Sequence, residues 1–272
     1  MEIVFGKLQD QMSQRMRRRP LLARLIKRVF GYTLVGNYAR ALTFKELLAQ
    51  LPVASFHKIM DLGCGYGEYA FMLADALPEA EVTALDVNPH TVADIQGIAQ
   101  RQGMKNLLTH TGPIESLQDR DQYYDFIYSV DVFEHIKPEE MPFEQAWHKL
   151  APGGYLLVKI PSRDQLTILP EAWFEDHHHW LEDEHIGQVY ELEDLAARMR
   201  QAGFEIIYQT YADGWWSRLG WELGYLSHKA GPLVQLLCLP FAKAMVKLDR
   251  LVHRRRKGNT IQVIGQKKTK RV

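Results

Sequence analysis

The run Ile59-Met60-Asp61-Leu62-Gly63-Cys64-Gly65-Tyr66-Gly67 constrains this chain more than any other, because an apolar strand pattern there meets an acidic residue and three alternating glycines just before a helical pattern. Glycine has no Cβ, so a turn built this way can reverse sharply and let the backbone approach a ligand closely. The spacing separates the cofactors that use such turns. A phosphate-cradling loop needs Gly-Lys-Ser or Gly-Lys-Thr, whereas Glu68 and Tyr69 follow the glycines here. A dinucleotide fingerprint would put its third glycine at position 68, where this chain carries a glutamate beside the would-be pyrophosphate. What remains is a cofactor with a ribose and no phosphate. Asp86 ends the next strand pattern, Glu81-Val82-Thr83-Ala84-Leu85-Asp86, and stands where a carboxylate can accept hydrogen bonds from a ribose diol.

Short apolar runs near 56–62, 81–86, 107–111, 124–130, 154–160 and 204–211 alternate with helical patterns near 67–77, 90–102, 138–150 and 191–202. This alternation predicts parallel strands joined by helices, a doubly wound α/β sheet. Thr260-Ile261-Gln262-Val263-Ile264-Gly265 reads as a late strand. At 272 residues and 46% hydrophobic, the chain can bury one large core with a small appendage. Its two cysteines, Cys64 and Cys238, offer neither a disulfide framework nor zinc spacing, and no apolar leader opens the sequence. A cytoplasmic protein is expected.

Four motifs, taken in order over roughly residues 55 to 210, resemble the class I S-adenosylmethionine-dependent methyltransferases. Asp61 to Gly67 is similar to the family's first motif, and Leu85-Asp86-Val87-Asn88 to its ribose-binding strand end. Tyr124 to His135 resembles the fourth strand with its following loop, and Leu150 to Val158 the fifth strand with its preceding turn. The resemblance implies a Rossmann-like seven-stranded sheet with its last strand antiparallel, and S-adenosyl-L-methionine as cofactor. It further implies that Gly63, Gly65 and Gly67 admit the methionine part, that Asp61 orients the turn or contacts the cofactor amine, and that Asp86 and Val87 lie at the ribose. Ile114 would pack on the adenine, and Ser129, Val130 and Asp131 would wall the site. After the third strand the family often carries an acidic residue near the adenine amine; Pro113 stands at the matching position here.

Methyl transfer requires mainly that a nucleophile be aligned behind an already activated methyl carbon. A hydroxyl acceptor also benefits from a base with a pKa near working pH. His135 is the first candidate, with Glu134 to orient it or bind the acceptor. His185, in Glu184-His185-Ile186-Gly187-Gln188-Val189-Tyr190, is the second, because this segment resembles one that many small-molecule methyltransferases place beside the acceptor. The stretch Asp176 to His185 is dense in histidine and carboxylate, but it shows no i, i+4 helical pair with a matched third ligand, so no metal site is assigned.

The formally neutral total hides a divided molecule. Residues 1–32 hold eight Lys or Arg against two acids, and residues 249–272 hold nine against one; with 33 cations and 33 anions overall, the middle carries net −14. Both basic ends look amphipathic: Leu21, Leu22, Leu25, Ile26, Val29 and Phe30 share one helical face, and Phe241, Ala244, Met245, Leu248, Leu251 and Val252 another. The organisation expected is a basic arm (1–35), a methyltransferase core (36–213), a Trp-rich basic helical insertion (214–257) and a closing strand with a basic tail (258–272). Such helices would pack their apolar faces on the core as a lid over a hydrophobic acceptor pocket, the ordinary fate of amphipathic helices, and as the second reading would suit the inner surface of an anionic membrane or a lipid-linked substrate. An oxygen on a small or amphiphilic acceptor is favoured. RNA methylation and non-catalytic cofactor binding are the alternatives, and an acidic core without a recognised RNA module speaks against nucleic acid.

Overall fold

The computed structural model describes residues 20–118, 120–175, 190–252 and 256–268. Seven strands form one sheet: β1 (Lys58–Leu62), β2 (Glu81–Asp86), β3 (Leu107–Thr111), β4 (Tyr124–Val130), β5 (Leu150–Pro161), β6 (Phe204–Ala212) and β7 (Thr260–Lys267). Their order is β3-β2-β1-β4-β5-β7-β6, with β7 antiparallel to both of its neighbours and the remaining contacts parallel. The strand order reverses between β1 and β4, the place where open α/β sheets leave a ligand crevice.

The central strands are buried on both faces, which is why they read as apolar runs rather than alternations. Successive residues then serve opposite layers. Ile59, Phe126 and Tyr128 join the core with Phe44, Leu73 and Ile95, while Met60 and Ile127 join Leu85, Phe133 and Leu195 on the other side. Helices α1 (Pro20–Phe30) and α2 (Val35–Leu48) precede the sheet, and α3 (Glu68–Ala76), α4 (Pro89–Arg101), α5 (Phe143–Lys149) and α6 (Leu192–Gln201) connect its strands. Local chemistry sets their starts. Gly67, at φ +74°, turns the chain into α3, and α4 begins with Pro89 behind Asn88, whose side chain accepts from the His90 amide at 3.0 Å.

Between β6 and β7 stand α7 (Trp215–Ala230) and α8 (Pro232–Val252), a hairpin turned at Gly231. At mid-length the two helices touch: a Cβ on Gly220 would lie 2.6 Å from the Ala242 carbonyl oxygen. Buried charges lock the hairpin to the core. Asp249 accepts from the Gly214 and Trp216 amides at 2.9 and 3.1 Å, and so satisfies donors at the start of α7. Glu222 accepts from the Ile168 and Leu169 amides at 3.0 and 2.9 Å and from Arg218 Nε at 2.7 Å. Arg250 donates to Ala39 O, Thr43 Oγ1 and Asp213 Oδ1 at 3.0, 2.6 and 3.0 Å.

One expectation is corrected by this packing. The apolar faces expected to close on the core point outward: Leu21, Leu25 and Val29 of α1 and Phe241, Leu248 and Leu251 of α8 are exposed. The reason is that α8 carries a second apolar row. Leu239, Ala242 and Val246 pack against Val35 and Ala39 of α2, and the polar groups on that side are paired there: Asp249 is buried on the Gly214 and Trp216 amides, and half-buried Arg250 donates to Thr43 and Asp213. Paired in this way, charges can be buried at little net cost, and the outward row is left to solvent.

Candidate active site at the strand tips

Gly63, Gly65 and Gly67 all have left-handed backbones, at φ +79°, +49° and +74°. The Gly63 and Cys64 amides both donate to Leu85 O at 2.9 Å, so the loop is clasped to the end of β2. The three glycines differ in what surrounds them. A Cβ on Gly63 would come within 2.5 Å of Val132, and one on Gly67 within 2.9 Å of Ile95, whereas a Cβ on Gly65 would enter open space. The middle glycine therefore faces a cradle that the described side chains leave clear.

Asp86 lies beside that opening. Its Oδ2 accepts from the Gly65 amide at 2.8 Å and its Oδ1 from the Asn88 amide at 2.9 Å. A carboxylate offers about four lone-pair sites, so about two remain for a diol. Val87, next in sequence, is exposed. Beneath the loop Asp61 is 3% exposed, and its Oδ2 has no hydrogen-bond partner among the described residues. Burial, reinforced by the Asp86 charge, pushes the Asp61 carboxyl up to about 7, although the Tyr128 hydroxyl and the Ala70 amide pull the other way. An open glycine, a carboxylate with capacity to spare and an orphaned buried acid fit a ligand that carries a ribose and an amine. That is the chemistry of S-adenosylmethionine.

Across the crevice, β4 ends at Val130 and Asp131. Asp131 is a non-glycine residue at φ +54°, held there by two cations: Lys159 Nζ of β5 at 2.6 Å from Oδ1 and Arg40 Nε of α2 on Oδ2. Burial works to raise the Asp131 pKa, but Lys159 and Arg40 outweigh it and keep the carboxyl below its usual range. Glu134, in the short turn Phe133–His135, is 2% exposed with Oε2 unpartnered among the described residues. Burial, with the nearby Asp131 charge, pushes Glu134 up to about 8. Two acids three residues apart are thus driven to opposite protonation states. His135 is half-buried at the rim of the same turn.

Other expected site residues have different settings. The Ser129 hydroxyl donates to Leu62 O at 2.8 Å, tying β4 to β1 directly below the glycine loop. Ile114 is buried among Met60, Leu62 and Leu85, so it supports the strand tips and presents little surface to a ligand. His185, and with it the acidic and histidine-rich stretch 176–185, lies outside the described residues. Among the described residues no group of three or more His, Cys, Asp or Glu is placed to hold a metal ion.

Sequence reasoning did not reach Arg40, Lys159 or Tyr32. Tyr32 donates to Glu68 at the start of α3, and Phe44 of α2 packs on Tyr69 and Tyr128 with ring centroids 4.5 and 5.0 Å apart. Helix α2 thereby packs on the first turn of α3 and on β4, and its Arg40 reaches Asp131 at the tip of β4.

Residues 14–209 match the family model described as a methyltransferase domain. The trans-aconitate 2-methyltransferase of Deinococcus radiodurans is 31% identical over 46% of this chain and 45% of its own length. The malonyl-[acyl-carrier protein] O-methyltransferase of Bacillus anthracis is 31% identical over 41% of this chain and 40% of its own. The chain spans about half the length of the curated relatives it matches. Among solved structures, the Haemonchus contortus phosphoethanolamine N-methyltransferase 2, in complex with phosphomonomethylethanolamine and S-adenosylhomocysteine, superimposes with a TM-score of 0.61 over 98% of this chain and 61% of its own, at 15% identity. The sheet order, the glycine cradle and the family match agree, and the chain belongs to the class I S-adenosylmethionine-dependent methyltransferases.

Proposed function

We propose that this chain transfers the methyl group of S-adenosylmethionine to an oxygen of a small or amphiphilic acceptor entering beside the tip of β4. The observation that carries the reading is the turn Phe133–His135 at the tip of β4, which sets the buried Glu134 carboxyl, its Oε2 unpartnered among the described residues, immediately before half-buried His135. A hydroxyl must lose its proton as the new bond forms, and a general base beside the acceptor takes it. His135 fills that role, with Glu134 orienting it or binding the acceptor. His185 is the second base candidate. The cofactor supplies a methyl carbon already activated by its sulfonium, so the chain's own task is to bind, align and exclude water.

Gly63, Gly65 and Gly67 would receive the methionine part, Asp61 its amine, and Asp86 with Val87 the ribose. Ile114 supports the adenine side, and Ser129, Val130 and Asp131 form the wall. The relatives named for trans-aconitate, malonyl-acyl-carrier protein and phosphoethanolamine support a small-molecule acceptor, and the second names an oxygen. Methyl transfer is assigned to residues 36–213 with the closing segment 258–272, and residues 1–35 and 214–257 shape the approach of the acceptor. Work at the inner face of a membrane would suit an amphiphilic one.

Incubation with a labelled methyl donor and separate lipid, small-metabolite and RNA extracts tests the assignment. Label is expected in lipid or small metabolites; label in RNA, or in no extract, overturns it. Asp86→Ala should weaken S-adenosylmethionine binding at least tenfold, given about 1.5–3 kcal/mol for each hydrogen bond to a charged group.

A further inference from the structure

We propose that the outward face of α8, continued by α1, docks on an anionic lipid surface, the helices lying in the plane of the headgroups. Leu233, Leu237, Phe241, Ala244, Leu248 and Leu251 fall at spacings of four and three along α8, a single stripe, and all are exposed. Leu237 is 66% exposed, Phe241 71% and Leu251 84%, values that mark a stripe left uncovered among the described residues. A second short row, Leu21, Leu25 and Val29, stands exposed on α1. The two helices are joined where Lys243 Nζ donates to Phe30 O. Apolar on its packed side and on its outer side alike, α8 has the pattern of a helix that expects a second apolar phase.

Charge selects the occupant. Helices α7 and α8 contain two carboxylates, Glu222 and Asp249, and both are buried and consumed by internal hydrogen bonds; α1 has none. The exposed ionisable groups described on these helices and just beyond them are basic or histidine: Arg28, His228, Lys229, Lys247, Arg256 and Lys257. An acidic core thus presents one apolar face rimmed by cations. A second copy on the same face would bring like charges together across a two-fold axis, whereas an anionic bilayer pairs each of them and accepts the leucines and Phe241 between its headgroups. The helix lies on the membrane rather than through it, since among the described residues none is long and apolar enough to cross.

Flotation with vesicles of equal parts phosphatidylglycerol and phosphatidylcholine, against phosphatidylcholine alone, reads docking without substrate or methyl transfer. The full chain should bind the anionic vesicles at least tenfold tighter, and about 1 M salt, with a Debye length of about 3 Å, should release much of it. Leu237→Glu with Phe241→Glu should abolish flotation while leaving thermal stability and S-adenosylmethionine binding unchanged, because both side chains face solvent. Lys229→Glu with Lys247→Glu should remove the preference for anionic lipid. Absence of flotation at low salt, equal binding to neutral vesicles, or unchanged binding by the Leu237/Phe241 variant overturns the proposal. So does a concentration-dependent dimer that the same variant dissociates, which would make the stripe a protein interface.

Discussion

Replacing Gly65 with alanine separates the fold of the glycine loop from its ligand. The backbone there is left-handed, a conformation that costs an L-residue about 1–2 kcal/mol. Among the described residues, chain neighbours aside, nothing lies within 4 Å of the added Cβ, so strain is the cost expected in the folded state. At about 2–4 °C per kcal/mol, the thermal midpoint should fall by about 2–8 °C. Gly63→Ala carries the same strain plus a methyl 2.5 Å from Val132, which adds about 1–3 kcal/mol of overpacking and deepens the loss accordingly. Ligand binding should rank the pair the other way per unit of stability lost. The Gly65 methyl occupies the cradle itself, and about 1–3 kcal/mol of conflict with a bound molecule is about 5- to 150-fold in Kd. Thermal unfolding followed by circular dichroism gives the first quantity, and isothermal titration with S-adenosylmethionine gives the second. If Gly65→Ala binds the cofactor within about twofold of the unaltered protein, the open space at residue 65 is not where the ligand sits.

Further outcomes follow from the same geometry. The folded pKa of Glu134, about 8, lies above its unfolded value, so the folded state holds the extra proton between the two; stability is greatest on the acid side and declines as pH rises from about 4.5 to about 8. Glu134→Gln should therefore gain thermal stability relative to the unaltered protein as pH is raised through that window, and an unchanged gap would place the carboxyl in water. His135→Ala should lower kcat about 100-fold while the Kd for S-adenosylmethionine stays within about twofold, measured by steady-state kinetics beside calorimetry; normal turnover would remove His135 from proton transfer. Glu222→Gln, which leaves buried Arg218 without its counter-charge, should cost about 3–5 kcal/mol in denaturant unfolding, and a loss below about 1 kcal/mol would mean that water reaches the pair.

Much of the catalytic half is written locally. Apolar runs of strand length, glycines at alternate positions and an acid at the end of β2 are features of neighbouring residues, and the described strands begin and end within a few residues of the runs expected; β5 starts earliest, at Leu150 rather than near 154. The remainder depends on distance along the chain. Arg40 and Asp131 are 91 residues apart, and nothing near either announces the other. Periodicity found a stripe on α8 and could not decide which side docks, because the inner row Leu239, Ala242 and Val246 is equally apolar. Asp249 and Arg250, which would mark a solvated face in an isolated helix, occupy the docked side because partners from α2, the segment before α7 and its first turn await them.

Helix α2 is common property. Its Val35 and Ala39 sit against α8, its Ala39 carbonyl and Thr43 hydroxyl are gripped by Arg250, and its Arg40 holds the carboxylate at the tip of β4. A tilt of the hairpin that carried α2 with it would therefore shift one guanidinium at the crevice, and the anchorage of the appendage and the position of Asp131 share a single helix.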